Sequence, residues 1–478
     1  MVNNKYNHKK RTKTFLETLS LFKSKKVIIS ILVTLGILVL FRIGSIIPMP
    51  FIEISSFSNY DKNSFLQMMN LIGGGGLSKV SIFAIAVSPY ITAQIIVQLL
   101  STDLIPPLSR LAKSGERGRK KIEVVTRLLT LPFAGIQAYA ILSMATSSSS
   151  EISFITFSQN SPLVQGSSLY YFFYISLMIA GTYIAIFLGD LITKRGVGNG
   201  ITLIILAGIV SSLFSSFRTV YSNLQNITVQ NARLISTISF IAYLCFYIFI
   251  LLAVIFINNS VRKVPIQQVG GSFGQGNDDL SYLPIKINPS GVIPVIFASS
   301  LMTIPSTIAQ FLPANSSAFT WINSYISLES ISGIIIYFVL IVLFSFFYSY
   351  VQMNPQKMSE DFKKSSRFIP GVKVGNDTEK YISRILFRIN WIGGPFLAII
   401  ATLPYIFSIT CNYASNGAVV IPSYAILGGT GIVIMVSATI DLWQSIKSTA
   451  TTVHYSYQKK EIENTINSDN SSKENKFW

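Results

Sequence analysis

Residues Leu71–Leu100 read LIGGGGLSKVSIFAIAVSPYITAQIIVQLL. Four consecutive glycines, Gly73, Gly74, Gly75 and Gly76, run into an apolar segment that carries Pro89. Glycine loosens backbone and weakens a helix. Composition alone allows a flexible external loop here. The following residues argue against it, because GLSKVSIFAIAV has only Lys79 charged and is too apolar for an exposed loop. Irregular backbone at membrane depth survives only where protein buries it or it lines an aqueous cavity. The stretch therefore predicts a re-entrant element leading into a spanning helix, as in a channel.

The rest of the chain places this element in a membrane. Half of the 478 residues are hydrophobic, 12% are charged and mean hydropathy is +0.51. A soluble chain carries about 25% charged residues. Hydropathy windows long enough for roughly 30 Å of hydrocarbon predict about ten spans. They lie near Val27–Ile47, Ser81–Leu100, Ile122–Met144, Tyr170–Leu191, Gly200–Phe214, Ile235–Ile257, Ser290–Leu312, Ile331–Val351, Ile389–Phe407 and Ile421–Leu442. The fold class is thus all-α and polytopic.

The net charge of +18 is distributed by topology. Residues 1–26 are basic. Lysine and arginine then concentrate after spans two, four, six and eight, and in the tail 444–478. The segments Ala145–Ser168 and Ser408–Val420 contain no lysine or arginine, and Ser215–Leu234, with Arg218 and Arg233, is a partial exception to the alternation. Positive loops stay inside, so both termini and the even-numbered loops read as cytosolic. Ten spans divide into residues 27–214 and 235–443, joined by an external loop at 215–234. An odd number of spans per half makes the halves opposite in orientation, the arithmetic of an inverted repeat with a pathway at its interface.

What the spans lack narrows the chemistry. Asp190, Glu123 and Asp441 fall at span ends, and the spans are otherwise almost free of carboxylates. Proton-coupled transport needs ionisable groups at depth. No paired carboxylates, nucleophile triad or metal-ligand cluster is present in the sequence, so no enzyme activity, cofactor or metal is expected. Cys245 and Cys411 read as packing residues. Arg42 reads as a snorkelling side chain or a buried structural partner. KSGERGRKK (Lys113–Lys121) and KKSSRFIPGVKVG (Lys363–Gly375) are basic, glycine-containing cytosolic loops. In the second, Phe368, Ile369 and Pro370 form an apolar tip ringed by cations, a pattern suited to docking an anionic partner.

The motifs resemble those of the SecY/Sec61 protein-conducting channels, bacterial SecY in particular. The blocks that carry the likeness run in family order. They are FRIGSIIPMP (Phe41–Pro50), the opening stretch from Gly75, KSGERGRKKI (Lys113–Ile122), KRGVGNGITLII (Lys194–Ile205), LPIKINPSGVIPVIFASS (Leu283–Ser300) and RFIPGVKVG (Arg367–Gly375), with GGTGIVIMV (Gly428–Val436) a weaker match.

The resemblance implies a clamshell of two inverted five-helix halves. It implies an aliphatic pore ring of Val87, Ile91, Ile201, Ile205, Ile296 and Ile434. Such a ring offers no hydrogen bond, so a narrow constriction dewets and opposes ion leak. It implies a plug over about 71–80, including Gly73–Gly76, Leu77 and Ser78. It implies a lateral gate between spans two and three and spans seven and eight, with Pro89, Gln94, Gln98, Arg127 and Pro294 in or beside it. In that reading Pro89 and Pro294 loosen the helix ladders of the gate.

The family function is translocation of secretory polypeptides, signal-sequence binding and lateral release of spanning segments into lipid. Implied partners are SecE- and SecG-like small subunits, the motor ATPase SecA, the ribosome with its rRNA and proteins, secretory and membrane polypeptides, and anionic lipids. Docking falls to the loops 258–289 and 352–382, through Arg262, Lys263, Lys363, Lys364, Arg367 and Lys373. Lys373 stands where the family usually has arginine, and the two are not equivalent at a forked contact. The tip of the first loop, GGSFGQGNDD (Gly270–Asp279), lacks the usual basic residues. The implied location is a bacterial plasma membrane, with a plastid membrane as the alternative. From the residues alone, a solute transporter with a similar repeat and a non-transporting ribosome-docking scaffold stay open.

Overall fold

Apolar runs become helices here, and the glycine run does not. The computed structural model describes residues 25–54, 70, 73–101, 106–146, 155–157, 168–225, 230–268, 282–309, 311–312, 316–328, 330–414 and 431–452. In chain order the helices are α1 (Lys25–Ile46), α2 (Ser88–Leu100), α3 (Pro106–Lys113), α4 (Glu116–Thr146), α5 (Ser168–Arg195), α6 (Gly200–Gln225) and α7 (Gln230–Asn259). There follow α8 (Ile293–Ala309), α9 (Ser317–Tyr325), α10 (Ile331–Met353), α11 (Pro355–Lys364), α12 (Asn376–Ala414) and α13, residues 431–452. Helices α1, α4, α5, α10 and α12 are long and apolar enough to cross a membrane, and α2, α8 and parts of α6 and α7 form shorter apolar helices. Each expected span falls on one of these elements or on α13, whose expected first half, 421–430, lies outside the described residues.

Several boundaries differ from the sequence expectation. Span two begins as helix only at Ser88, and residues 81–87 are a buried series of turns. Pro89 is therefore the second residue of α2, and Pro294 the second of α8. There a missing N–H has no intrahelical partner to lose. Both prolines start their helices, and neither loosens a ladder. The prolines inside helices are Pro132, Pro305, Pro395 and Pro404. Further along, α6 continues to Gln225 and α7 begins at Gln230, so most of 215–234 is helix. Hydropathy ends at Phe214, but the polar continuation holds no glycine or proline to stop the helix.

Local chemistry sets the turns. Ser330 caps α10 by accepting the Gly333 N–H at 3.0 Å. Asn354, at φ +33°, ends α10, and its Oδ1 then accepts the Lys357 N–H at 3.1 Å to cap α11. Pro355 follows at the first helical position, which its fixed φ suits. One residue thus closes an apolar helix and opens a polar one.

The described residues within Met1–Ile43, Ile186–Ile204 and Ala438–Trp478 cluster as one compact unit, and those within Gly44–Ala185 and Ile205–Ser437 as a second. In the first, the motif KRGVGNG turns tightly from α5 into α6. Thr34 Oγ1 accepts the Val197 N–H at 3.0 Å and donates to the Ser30 carbonyl at 2.9 Å. A Cβ on Gly200 would overlap the Gly189 backbone, so the close helix approach requires glycine there.

In the second unit, short antiparallel ribbons join the helices. Strand β1 (Ile52–Ile54) pairs with β2 (Ile155–Phe157). Strands β3 (Val261–Pro265), β4 (Gln267–Gln268), β5 (Tyr282–Lys286) and β6 (Arg367–Phe368) pair as β3–β5 and β4–β6.

Candidate functional site

The glycine run folds into a buried turn organised by Asn70. The Asn70 carbonyl accepts the Gly75 N–H at 2.8 Å, and its Oδ1 accepts the Leu77 N–H at 3.0 Å. Gly74 and Gly75 take φ of +88° and +87°, a backbone region costly for residues with a Cβ. A short 3₁₀ turn, Leu77–Lys79, follows. Ser81 then closes the segment, its Oγ donating to the Gly76 carbonyl at 3.0 Å. Gly73–Gly76, Leu77 and Val80 are buried, while Lys79 is exposed. Leu71 and Ile72 and the side chain of Ser78 lie outside the described residues.

Looseness is the role the sequence suggests for these glycines. The folded chain uses them for left-handed backbone and for close approach. A Cβ on Gly76 would overlap the Phe83 carbonyl, and one on Gly73 would sit 3.3 Å from the Ala84 and Ile85 carbonyl oxygens. From α6, a Cβ on Gly208 would overlap the backbone of Gly74. Leu77 and Val80 join a core with Met49, Ile85, Ala134, Ala138, Ile141, Tyr174 and Met178. Burying such side chains stabilises by about 1.5–3 kcal/mol each. That offsets the strain at Val80, whose φ is +45°, of the order of 1–2 kcal/mol.

Of the ring residues, Val87, Ile91, Ile205, Ile296 and Ile434 are buried in the second unit. Val87 and Ile91 bracket the start of α2, and Ile205 precedes Gly208 by one turn of α6. Ile296 lies in α8 and Ile434 in α13. Ile201 is half-buried in α6.

The residues expected at a lateral gate lie on α2, α4 and α8. Toward the end of α2, half-buried Gln98 approaches Tyr348 of α10. Tyr348 also meets Phe297 of α8 edge-on at 5.8 Å between centroids. Toward the far end, Tyr139 of α4 stacks on Phe311, just past α8, at 5.4 Å and 12°. Gln94 is exposed. Arg127 ion-pairs with Glu123 one turn back, and its carbonyl accepts the Tyr183 hydroxyl at 2.8 Å. The aromatic contacts were not legible in the sequence, because Tyr139 and Phe311 are distant in the chain and match no motif.

The six cations expected to dock a partner are all exposed, and the ribbons bring their loops together. Strand pairing sets Arg262 opposite Ile285, Lys263 opposite Pro284 and Arg367 opposite Gln268. The β4–β6 pair thereby joins the loop after α7 to the loop after α10. Lys263 lies 4.8 Å over the Tyr282 ring. Lys363 and Lys364 end α11, where cations suit the helix dipole. Lys373 is anchored through its carbonyl, which accepts the Thr378 hydroxyl at 2.8 Å.

The apolar tip needs correction. Ile369 is 1% exposed and packs with Val264, Ile285, Phe362, Ile382 and Leu386. Phe368 is half-buried in β6, and only Pro370 is exposed. The apolar residues thus form the core of the platform that the two loops make, beneath its charged surface. The loop tip Gly270–Asp279 lies outside the described residues.

Solved structures with this arrangement define the class. A structure described as that of a protein-conducting channel superposes with a TM-score of 0.62, covering 89% of this chain and 93% of that one at 17% identity. Sec61 from a canine ribosome–channel complex gives 0.58 with the same coverage and identity. The fold is that of the protein-conducting channels.

Sequence relatives carry the assignment further. The SecY family model matches residues 81–443. A SecY protein translocase subunit of Mycoplasmoides gallisepticum is 50% identical, covering 94% of this chain and 88% of its own. That of Mycoplasma pneumoniae is 47% identical, covering 93% and 90%, and one from Staphylococcus aureus is 34% identical, covering 91% and 97%. The chain belongs to the SecY family of protein translocase subunits. It forms a channel that moves polypeptides through a bacterial membrane.

Proposed function

We propose that the idle channel is closed by the turn Asn70–Val80 acting as plug, beside an aliphatic ring of Val87, Ile91, Ile201, Ile205, Ile296 and Ile434. The observation that carries this reading is the backbone contact between Gly74 and Gly208, adjacent on α6 to the ring position Ile205. Aliphatic side chains grip no particular substrate residue, so any extended polypeptide can pass, while a dewetted ring opposes ions.

The lateral gate is the seam of α2 and α4 against α8 and α10. Its opening breaks the Tyr139–Phe311 stack. A spanning segment of about 20 apolar residues then reaches lipid. Both termini and the platform face the cytosol, as the charge distribution supports.

The platform cations Arg262, Lys263, Lys363, Lys364, Arg367 and Lys373 dock an anionic driver. Two solved structures with this fold are described as ribosome-bound, the canine Sec61 complex and a yeast Ssh1 complex on the 80S ribosome. A ribosome is therefore one driver, and a SecA-type motor the other. SecE- and SecG-like small subunits complete the assembly, and anionic lipids meet the basic loops.

The test uses the purified translocase with a stalled nascent chain. Cysteine probes at Ile91 and Ile296 should crosslink to that chain. No crosslink at either position, with translocation intact, would remove the ring assignment. Neutral substitutions at Lys363, Lys364, Arg367 and Lys373 should weaken both ribosome and motor binding. Unchanged binding of both would rule out the platform as the dock.

A further inference from the structure

A line of polar side chains in the second unit links α7, α10 and α13 through the turn that leads into α8. Asn258 of α7 donates from Nδ2 to Ser437 Oγ of α13 at 2.6 Å. Asn288, just before α8, donates to Asn258 Oδ1 at 3.4 Å and to the Gly291 carbonyl at 2.9 Å. Ser290 donates to Asn288 Oδ1 at 3.0 Å and meets Ser345 Oγ of α10 at 3.5 Å. Ser345 faces α12, because a Cβ on Gly394 would sit 3.3 Å from Ser345 Oγ.

The line then reaches two buried groups. Asn390 of α12 is 1% exposed and Ser349 of α10 is fully buried. Neither Asn390 Oδ1, Asn390 Nδ2 nor Ser349 Oγ has a hydrogen-bond partner among the described residues. Helices α10 and α12 run antiparallel, as the Ser345–Gly394 approach and the Tyr350 hydroxyl to Ser383 carbonyl bond at 3.4 Å together show. One turn from that approach on each helix, the register brings Ser349 and Asn390 to the same level. Buried polar groups are satisfied by protein or by ordered water almost without exception. Three polar atoms at one level offer water the several partners it needs.

We propose that Asn390 and Ser349 bind ordered water between α10 and α12. This water completes a polar joint that fastens α7, α10, α12 and α13, at Ser437, to the turn that leads into α8. Asn288 and Ser290 tie the start of α8 into the joint. If the seam is the gate, which rests on the reading above, α8 opens by pivoting at its Asn288 end and swinging at its Phe311 end.

The joint is tested without reference to gating, in the intact purified translocase. A high-resolution density map should show water within hydrogen-bond distance of Asn390 and Ser349. Asn390→Leu and Ser349→Ala should each lower the thermal unfolding midpoint, and the double variant should fall by less than the sum. Asn390→Ser, which keeps a hydrogen-bonding side chain by placing a hydroxyl there and leaves room for more water, should lie closer to the parent.

A dry site would behave oppositely, because replacing an unsatisfied amide with an apolar side chain of similar size is stabilising. A raised midpoint in Asn390→Leu, or additive losses with no water density, overturns the proposal. The pivot is read separately, from spin-label distances with and without an engaged polypeptide. Equal change at both ends of α8 refutes the pivot and leaves the joint standing.

Discussion

Replacing Gly208 with valine probes how the idle state is held. A Cβ on Gly208 would overlap Cα, C and O of Gly74. These are backbone atoms in a segment already fixed by Asn70 and Ser81, so no side chain can rotate away. Overpacking of this kind costs about 1–3 kcal/mol. The cost falls on the closed state alone, because displacing the plug removes Gly74 from α6. The better helix propensity of the new residue acts on both states equally and cancels. The population with the plug displaced should therefore rise by about 5- to 150-fold.

The assay is idle ion conductance of the reconstituted translocase in a planar bilayer, without substrate. Gly208→Val should leak strongly, and Gly208→Ala less. Gly135→Ala is the control, since a Cβ on Gly135 meets only Ile179 Cδ1 at 4.0 Å, and its leak should match the parent. A tight Gly208→Val channel that still translocates would refute the plug contact.

Three further expectations follow from the same geometry. Asn70→Ala strands the buried Leu77 N–H, a loss of about 1–3 kcal/mol, and should raise idle conductance without lowering substrate crosslinking at Ile91. Removing the far-end aromatic stack by Tyr139→Leu or Phe311→Leu forfeits about 0.5–1.5 kcal/mol. Either change should ease export of substrates with weakened signal sequences, and the double variant should gain little over the singles; additive gains would show that the two rings act independently. Lys373→Arg offers a forked donor in place of a point charge and should tighten ribosome or motor binding, measured by equilibrium titration, with idle conductance unchanged.

Much of the architecture was legible in the chain. The apolar runs required spanning helices, because backbone polar groups in hydrocarbon must be satisfied within the segment. The lysine and arginine pattern carried the expected topology, and the motif blocks carried the family. The apolar character of GLSKVSIFAIAV already argued for a buried irregular segment, and the structure buries it.

Tertiary structure decided the rest, because each remaining feature depends on residues distant in sequence. Pro89 and Pro294 look like breaks within spans until the helix starts at Ser88 and Ile293 are known. Ile369 looks like an exposed tip until β6 pairs with β4 and the platform core closes over it. Tyr139 stacks on Phe311 and Gln98 approaches Tyr348, pairs that no periodicity links. Gly73–Gly76 read as looseness in one dimension; against Gly208, Phe83 and Asn70 they are the residues that permit close backbone packing. Glycine's freedom of φ is a property of the sequence, but whether it serves motion or close packing is set by what the fold brings against it.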